Sequence, residues 1–148
     1  MKDIIFKYEL KDAFEQSIKS LVVDKENKLH LMGESNKEES ISTIDGDAIN
    51  KVLQKYEEQF ITVKDEELPF VPVMDGYINE ITFNVNGKTY NDKISNLGYY
   101  DGETVDNNKH LSLIFKLLDD VYDVLYKDNK AIEEYFILYE SEDDEDTE

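Results

Sequence analysis

The most regular pattern in the chain is the alternation of apolar and polar residues over positions 77–85, which predicts a β-strand with one buried face. The Asn86-Gly87 pair that follows favours a tight hairpin, because a type I′ turn needs positive φ at both of its central residues. We therefore predict a return strand over residues 88–94, with Tyr90 facing inward. One face of the first strand would carry Tyr77, Asn79, Ile81, Phe83 and Val85, and the other would carry Ile78, Glu80, Thr82 and Asn84.

Two stretches repeat apolar residues at the spacing of an α-helix. The first runs from a cap at Asp45 or Asp47 to about residue 58. The second and longer one covers residues 108–126, with Asp106 or Asn108 as its cap. Its apolar stripe consists of Leu111, Ile114, Phe115, Leu118, Val121, Tyr122 and Leu125.

Further alternating runs predict strands at residues 4–10, 18–23 and 28–32, and shorter ones at 40–44 and 60–63. Residues 24–27 are predicted to form a hairpin loop in which Asn27 adopts a left-handed conformation. The two prolines of residues 68–73 indicate an extended connector packed by Phe70 and Val71, followed by a turn at Asp75-Gly76. Residues 33–39 and 95–107 are predicted loops.

The order of these elements predicts an α+β fold. Strand, turn, strand and then a helix occur in the first half of the chain and again in the second. Two such ββα-like units would form an antiparallel sheet with the two main helices on one face. We assign residues 1–139 to this single domain, with 131–139 compatible with either helix or strand. Residues 140–148 contain seven acids and are predicted to be a solvated acidic C-terminal tail.

The charge of the chain restricts its partners. The 35 Asp and Glu residues exceed the 16 basic residues, all of which are Lys, and give a net charge of -19. This charge opposes direct binding to nucleic acid or to an anionic membrane and favours a basic protein partner. No apolar run is long enough for a membrane span, and cysteine is absent. These features predict a cytoplasmic protein.

Residues that could carry out catalysis show no catalytic pattern. His30 lies in a predicted strand and His110 in the first turn of a predicted helix. Neither lies in a nucleophile elbow flanked by glycines. Asp101, Glu103 and Asp106 lack the spacing of a calcium loop. The Gly87-Lys88 pair lies in a hairpin and lacks the upstream glycine of a phosphate loop. We therefore predict no catalytic residue, no metal site and no cofactor, with an enzyme that uses a carboxylate pair as the alternative.

The predicted 95–107 loop has the composition of a protein-binding surface, because it places tyrosines beside carboxylates. Aromatic rings supply contact area, and acids attract a basic partner. The outer face of the second helix supplies a further acidic patch. The residues predicted to bind a partner are Tyr99, Tyr100, Asp101, Glu103, Asp106, Asp119, Asp120 and Asp123.

The run from Asp75-Gly76 through the Asn86-Gly87 hairpin, followed by a helix rich in Leu and Tyr, resembles small acidic immunity proteins encoded beside polymorphic toxins in low-GC Gram-positive bacteria. The resemblance implies no catalytic residues. It suggests a non-enzymatic protein that neutralises a basic toxin or nuclease. The alternative is a phage-encoded inhibitor or nucleic-acid mimic of the anti-CRISPR or anti-restriction type, directed at a host nuclease or defence protein. The oligomeric state is left open.

Overall fold

The computed structural model describes residues 3–70 and 76–136 of the chain. Its strands are Ile4–Lys11 (β1), Ser17–Asp24 (β2), Lys28–Met32 (β3), Glu38–Thr43 (β4), Ile78–Val85 (β5) and Lys88–Ser95 (β6). Its α-helices are Gly46–Val63 (α1), Gly102–Asp106 (α2) and Lys109–Tyr126 (α3). Short 3-10 helices cover Glu34–Asn36, Leu97–Tyr99 and Lys130–Tyr135.

The predicted α+β class and antiparallel sheet are confirmed. The six strands form one antiparallel sheet in the order β4-β3-β2-β1-β5-β6. The two main helices, α1 and α3, pack against each other and join their apolar faces to one face of the sheet. An edge-to-face contact of 5.2 Å between the rings of Phe60 on α1 and Phe83 on β5 lies in this core.

The β5–β6 hairpin follows the predicted alternation. Burial along β5 changes at every residue, with Asn79, Ile81, Phe83 and Val85 buried. The turn has φ of 53° at Asn86 and 81° at Gly87, as the Asn-Gly pair predicts. Tyr90 faces the core, where its ring lies 5.2 Å from that of Phe83.

The prediction of a strand at residues 60–63, after a helix ending near residue 58, is wrong. Helix α1 continues to Val63. Phe60 and Val63 extend the buried face that Ile49, Leu53 and Tyr56 begin, so the helical spacing persists through the β-branched run. Packing of this face against the sheet outweighs the strand preference of Ile61, Thr62 and Val63.

Other boundaries also differ from the predictions. β4 begins at Glu38, inside the predicted 33–39 loop, and the predicted 95–107 loop contains α2. The first part of the ambiguous 131–139 segment is a 3-10 helix. Phe70 does not pack as predicted, because 87% of it is exposed. Val71, the Asp75 part of the predicted turn, residues 137–139 and the acidic tail 140–148 lie outside the described residues.

Candidate functional site

The two tyrosines predicted to bind a partner have different environments. Tyr99 is 56% exposed at the end of a 3-10 helix. Tyr100 is half-buried, and its hydroxyl donates a hydrogen bond of 2.7 Å to the carbonyl of Pro69. Burial raises the pKa of Tyr100, so the hydroxyl remains a donor. Tyr99 is therefore accessible to a partner, whereas Tyr100 holds the chain at Pro69, directly before Phe70.

The three acids of the same segment lie on or beside α2. Asp101 caps this helix and accepts a hydrogen bond of 2.7 Å from the backbone amide of Thr104. That bond lowers the pKa of Asp101. Glu103 and Asp106 are exposed on the helix. All three carboxylates are therefore at the surface, although Asp101 also has a structural role.

Further exposed aromatic residues lie at the same end of the molecule. Tyr77 is joined to Asn96 by two hydrogen bonds, one from each backbone amide, of 3.0 and 2.7 Å. A side chain at Gly76 would clash with Asn96, because an added Cβ would lie 1.7 Å from its Oδ1. Phe70 also lies at this end, because it directly follows Pro69, whose carbonyl accepts the hydrogen bond from Tyr100.

The strand register brings the β1–β2 loop to this end as well. Lys11, the last residue of β1, pairs with Ile78, the first residue of β5, so the β1–β2 loop that carries Phe14 lies at the end of the sheet where β5 begins. We define the aromatic–acidic end by Phe14, Phe70, Tyr77, Tyr99, Asp101, Glu103 and Asp106. The sequence contained a signal for Phe70, since it lies between two prolines that prevent regular pairing.

The acids predicted on α3 are not equivalent. Asp120 accepts hydrogen bonds from the Tyr56 hydroxyl at 2.5 Å and from Lys55 at 3.3 Å, and so ties α3 to α1. Burial and this carboxylate raise the pKa of Tyr56. Asp119 and Asp123 are exposed on the same helix. Asp120 is thus explained by helix packing, while Asp119 and Asp123 remain candidates for contact with a partner.

The sheet face opposite the helices has its charges paired. Lys11 lies 2.6 Å from Glu80, and Lys93 lies 2.9 Å from Glu15. Burial raises the pKa of Glu80, but the hydrogen bonds from Lys11 and Asn91 and the charges of Lys11 and Lys93 together outweigh burial and lower it. Compensated charges of this kind attract a basic protein less than uncompensated ones. The charges of Lys11 and Lys93 are therefore compensated by neighbouring carboxylates.

His30 is buried between two carboxylates. Its Nε2 lies 2.8 Å from Asp24 and its Nδ1 lies 2.6 Å from Glu38. Burial lowers the pKa of His30, but the bonds to Glu38 and Asp24 outweigh burial and raise it. Only the protonated ring can donate from both nitrogens. In its protonated form His30 therefore joins the end of β2 to β4.

His110 is also buried and also has two acceptors. Its Nε2 lies 2.6 Å from Asp92 on β6, and its Nδ1 lies 3.1 Å from the carbonyl of Glu66. The bond to Asp92 raises the pKa of His110 more than burial lowers it. The ring thus connects α3, the sheet and the 64–70 segment that carries Phe70. Both histidines have structural partners, as their positions in a predicted strand and helix suggested.

An open depression of about 450 Å³ lies where the Glu34–Asn36 turn meets the last 3-10 helix. Lys19 donates to the carbonyl of Glu134 across it, and the Tyr135 hydroxyl donates to Glu39 at 2.7 Å. Burial and the Glu39 carboxylate raise the pKa of Tyr135 to about 12. Lys19, Glu39, Glu134 and Tyr135, which line it, are thus bonded in two pairs.

Residues 3–70 and 76–136 contain no group of three or more His, Cys, Asp or Glu side chains arranged to hold a metal ion. In the same residues, no helix has the length and apolar character that crossing a membrane requires. No protein-family model matches this chain, and a comparison with curated proteins gives no match either.

Proposed function

We propose that this chain is a non-enzymatic acidic binding protein that neutralises a basic partner enzyme, in the manner of a toxin immunity protein. The observation that carries the proposal is the aromatic–acidic end. Phe14, Phe70, Tyr77 and Tyr99 are exposed there, and Asp101, Glu103 and Asp106 lie beside them. Exposed aromatic groups are characteristic of the energetic centre of an interface, and a rim of acids speeds association with a basic protein.

The electrostatic contrast between surfaces supports this assignment. The net charge is -19, while lysines on the open sheet face are paired with glutamates. The carboxylates of Glu103 and Asp106 are exposed on a short helix next to Tyr99. A basic active-site cleft, such as that of a nuclease, would be attracted to this end and could be covered by it.

The test is capture of proteins from the native host lysate on the full chain at low and at high salt. We expect a basic protein that is retained at low salt and weakened by salt, since attraction between exposed charges is screened. Identification of the captured protein separates a toxin from a host nuclease or defence protein. Capture of no basic protein at any salt concentration would refute the proposal.

Matched variants locate the surface. Tyr99→Ala and Phe70→Ala should each weaken the complex about tenfold or more, as interface aromatic residues commonly do. Glu103→Gln with Asp106→Asn should slow association, whereas Asp47→Asn with Glu58→Gln, the same charge change on exposed sites of α1, should not. Equal effects of the two double variants would mean that net charge, and not this end, attracts the partner.

A further inference from the structure

The outer edge of β4 lacks a neighbouring strand among the described residues. β4 pairs with β3 on one side, and five of its six residues are exposed. Alternate residues of an edge strand direct their backbone N–H and C=O groups outward, where another strand can pair with them. β4 is therefore a template for an added strand.

The opposite edge of the sheet is better protected. β6 carries Lys88 and Lys93, and lysine on an edge disfavours pairing with a further strand. Its Tyr90 hydroxyl donates to Glu57 on α1 at 2.6 Å, which ties this strand to the helical layer. β4 contains neither lysine nor proline, and Ile41 at its centre is 53% exposed.

The side chains of β4 specify the kind of strand that it could accept. Ile41 pairs with His30, and Glu38 bonds to that same histidine, so both lie on one face of the sheet. Thr43 is on this face too, because Lys28 donates to its hydroxyl. An added strand would present every second side chain to this face, with an apolar residue beside Ile41 and a basic residue beside Glu38. A basic residue fits there because Glu38 and Asp24 share one histidine, whose single charge compensates only one of the two carboxylates.

We propose that β4 accepts an extended segment containing Lys or Arg from the partner protein as a seventh strand of the sheet. The basic character of that segment rests on the proposed function. A second copy of this chain suits the edge less well, because each copy carries a net charge of -19 and the two would repel. Backbone pairing would supply affinity, and the apolar and basic side chains on the face of Ile41 and Glu38 would supply specificity.

The proposal is tested with the full chain and a synthetic peptide of the repeat Lys-Thr-Val-Thr, which places Lys and Val in turn on one face of the added strand. Amide hydrogen exchange is measured in β4 and β6 with and without this peptide. We expect exchange at the outward amides of β4 to slow about tenfold when the free peptide is at about ten times its Kd, with β6 unchanged. Protection of those amides in the free protein would mean that the edge is already covered, and would overturn the proposal.

Peptide controls separate strand pairing from charge attraction. Two versions of the peptide are N-methylated at every second residue, one version for each of its edges. One of them should lose binding, because the methyl groups remove its pairing donors, and the other should retain it. Equal binding by both versions would show that charge alone attracts the peptide, which would overturn the proposal.

Protein variants complete the test. Ile41→Lys should abolish peptide binding, whereas Thr89→Lys, the same charge change on β6, should leave it unchanged.

A dimer that forms in the wild type and is lost in Ile41→Lys would show that a second copy occupies the edge, against the proposal. If the native partner binds Ile41→Lys as well as wild type, this inference fails and the proposed function stands. Peptide binding at β4 without capture of a basic host protein would support the strand-accepting edge and refute the proposed function.

Discussion

His30 and His110 are both buried, and each places its two ring nitrogens against two oxygen acceptors, but the acceptors differ. Both acceptors of His30 are side-chain carboxylates within eight residues of it. His110 bonds to one carboxylate, 18 residues away, and to a backbone carbonyl 44 residues away. A side chain can turn towards water when the ring loses its proton, whereas a backbone carbonyl moves only with its segment. We therefore expect His110 to stabilise the fold more than His30 does.

The largest expected effect is that of His110→Ala. It would leave the carboxylate of Asp92, which is only 13% exposed, with no other hydrogen-bond partner in the described part of the chain, and would release the Glu66 carbonyl. We expect the free energy of unfolding to fall by about 3 kcal/mol or more, as when one partner of a buried ion pair is removed. Urea unfolding measures this loss. Adding Asp92→Asn should restore part of it, and failure to do so would contradict the role of the orphaned charge.

His30→Ala should cost less, about 2 kcal/mol, which is typical of a lost hydrogen bond to a charged group. Asp24 would keep its hydrogen bonds from the backbone amides of Glu26 and Lys28. Glu38 is partly exposed and can be hydrated. The same urea measurement compares the two histidines directly. A larger loss for His30→Ala than for His110→Ala would reverse the comparison.

Raising the pH should destabilise the protein by less than either substitution, since it removes protons and leaves the rings in place. The pKa values of His30 and His110 are raised in the fold, so the folded state binds more protons than the unfolded state. This stabilisation is fully present below about pH 6.5, the ordinary value, and is lost as the pH rises through the folded pKa values. Unfolding free energies measured from pH 6 upward should fall, and His30→Gln with His110→Gln should flatten the fall. A rise in wild-type stability over this range would contradict the assignment.

The smallest expected effect concerns Asn108, which helps His110 to hold the 64–70 segment. Its Oδ1 caps α3 at the amide of Leu111, and its Nδ2 donates to the carbonyl of Glu67. Asn108→Ala should cost about 1 kcal/mol, as loss of a helix cap does. Asn108→Asp keeps the cap but loses the donor to Glu67. Thermal unfolding of both variants separates the two roles, and equal losses would mean that the cap contributes nothing.

Local residue patterns were sufficient for much of the fold. The alternation in β5 separated its buried residues from the others, and Asn86-Gly87 predicted the turn. Asn108 was one of two predicted caps for α3, and Asp45 was one of two for α1. These features depend on neighbours a few positions apart, since strand alternation, turn conformation and helix capping are local properties of the backbone.

Tertiary packing decided what local patterns left open. It made residues 60–63 helical, because Phe60 packs against Phe83 and Tyr90. It separated Tyr99, which is exposed, from Tyr100, which is bonded to Pro69. It also brought His110 to Asp92 and Glu66, and left β4 at the edge of the sheet. The sequence by itself determined the class of fold and an acidic surface. The particular side chains that this surface exposes follow from contacts between residues far apart in the chain, which local spacing does not encode.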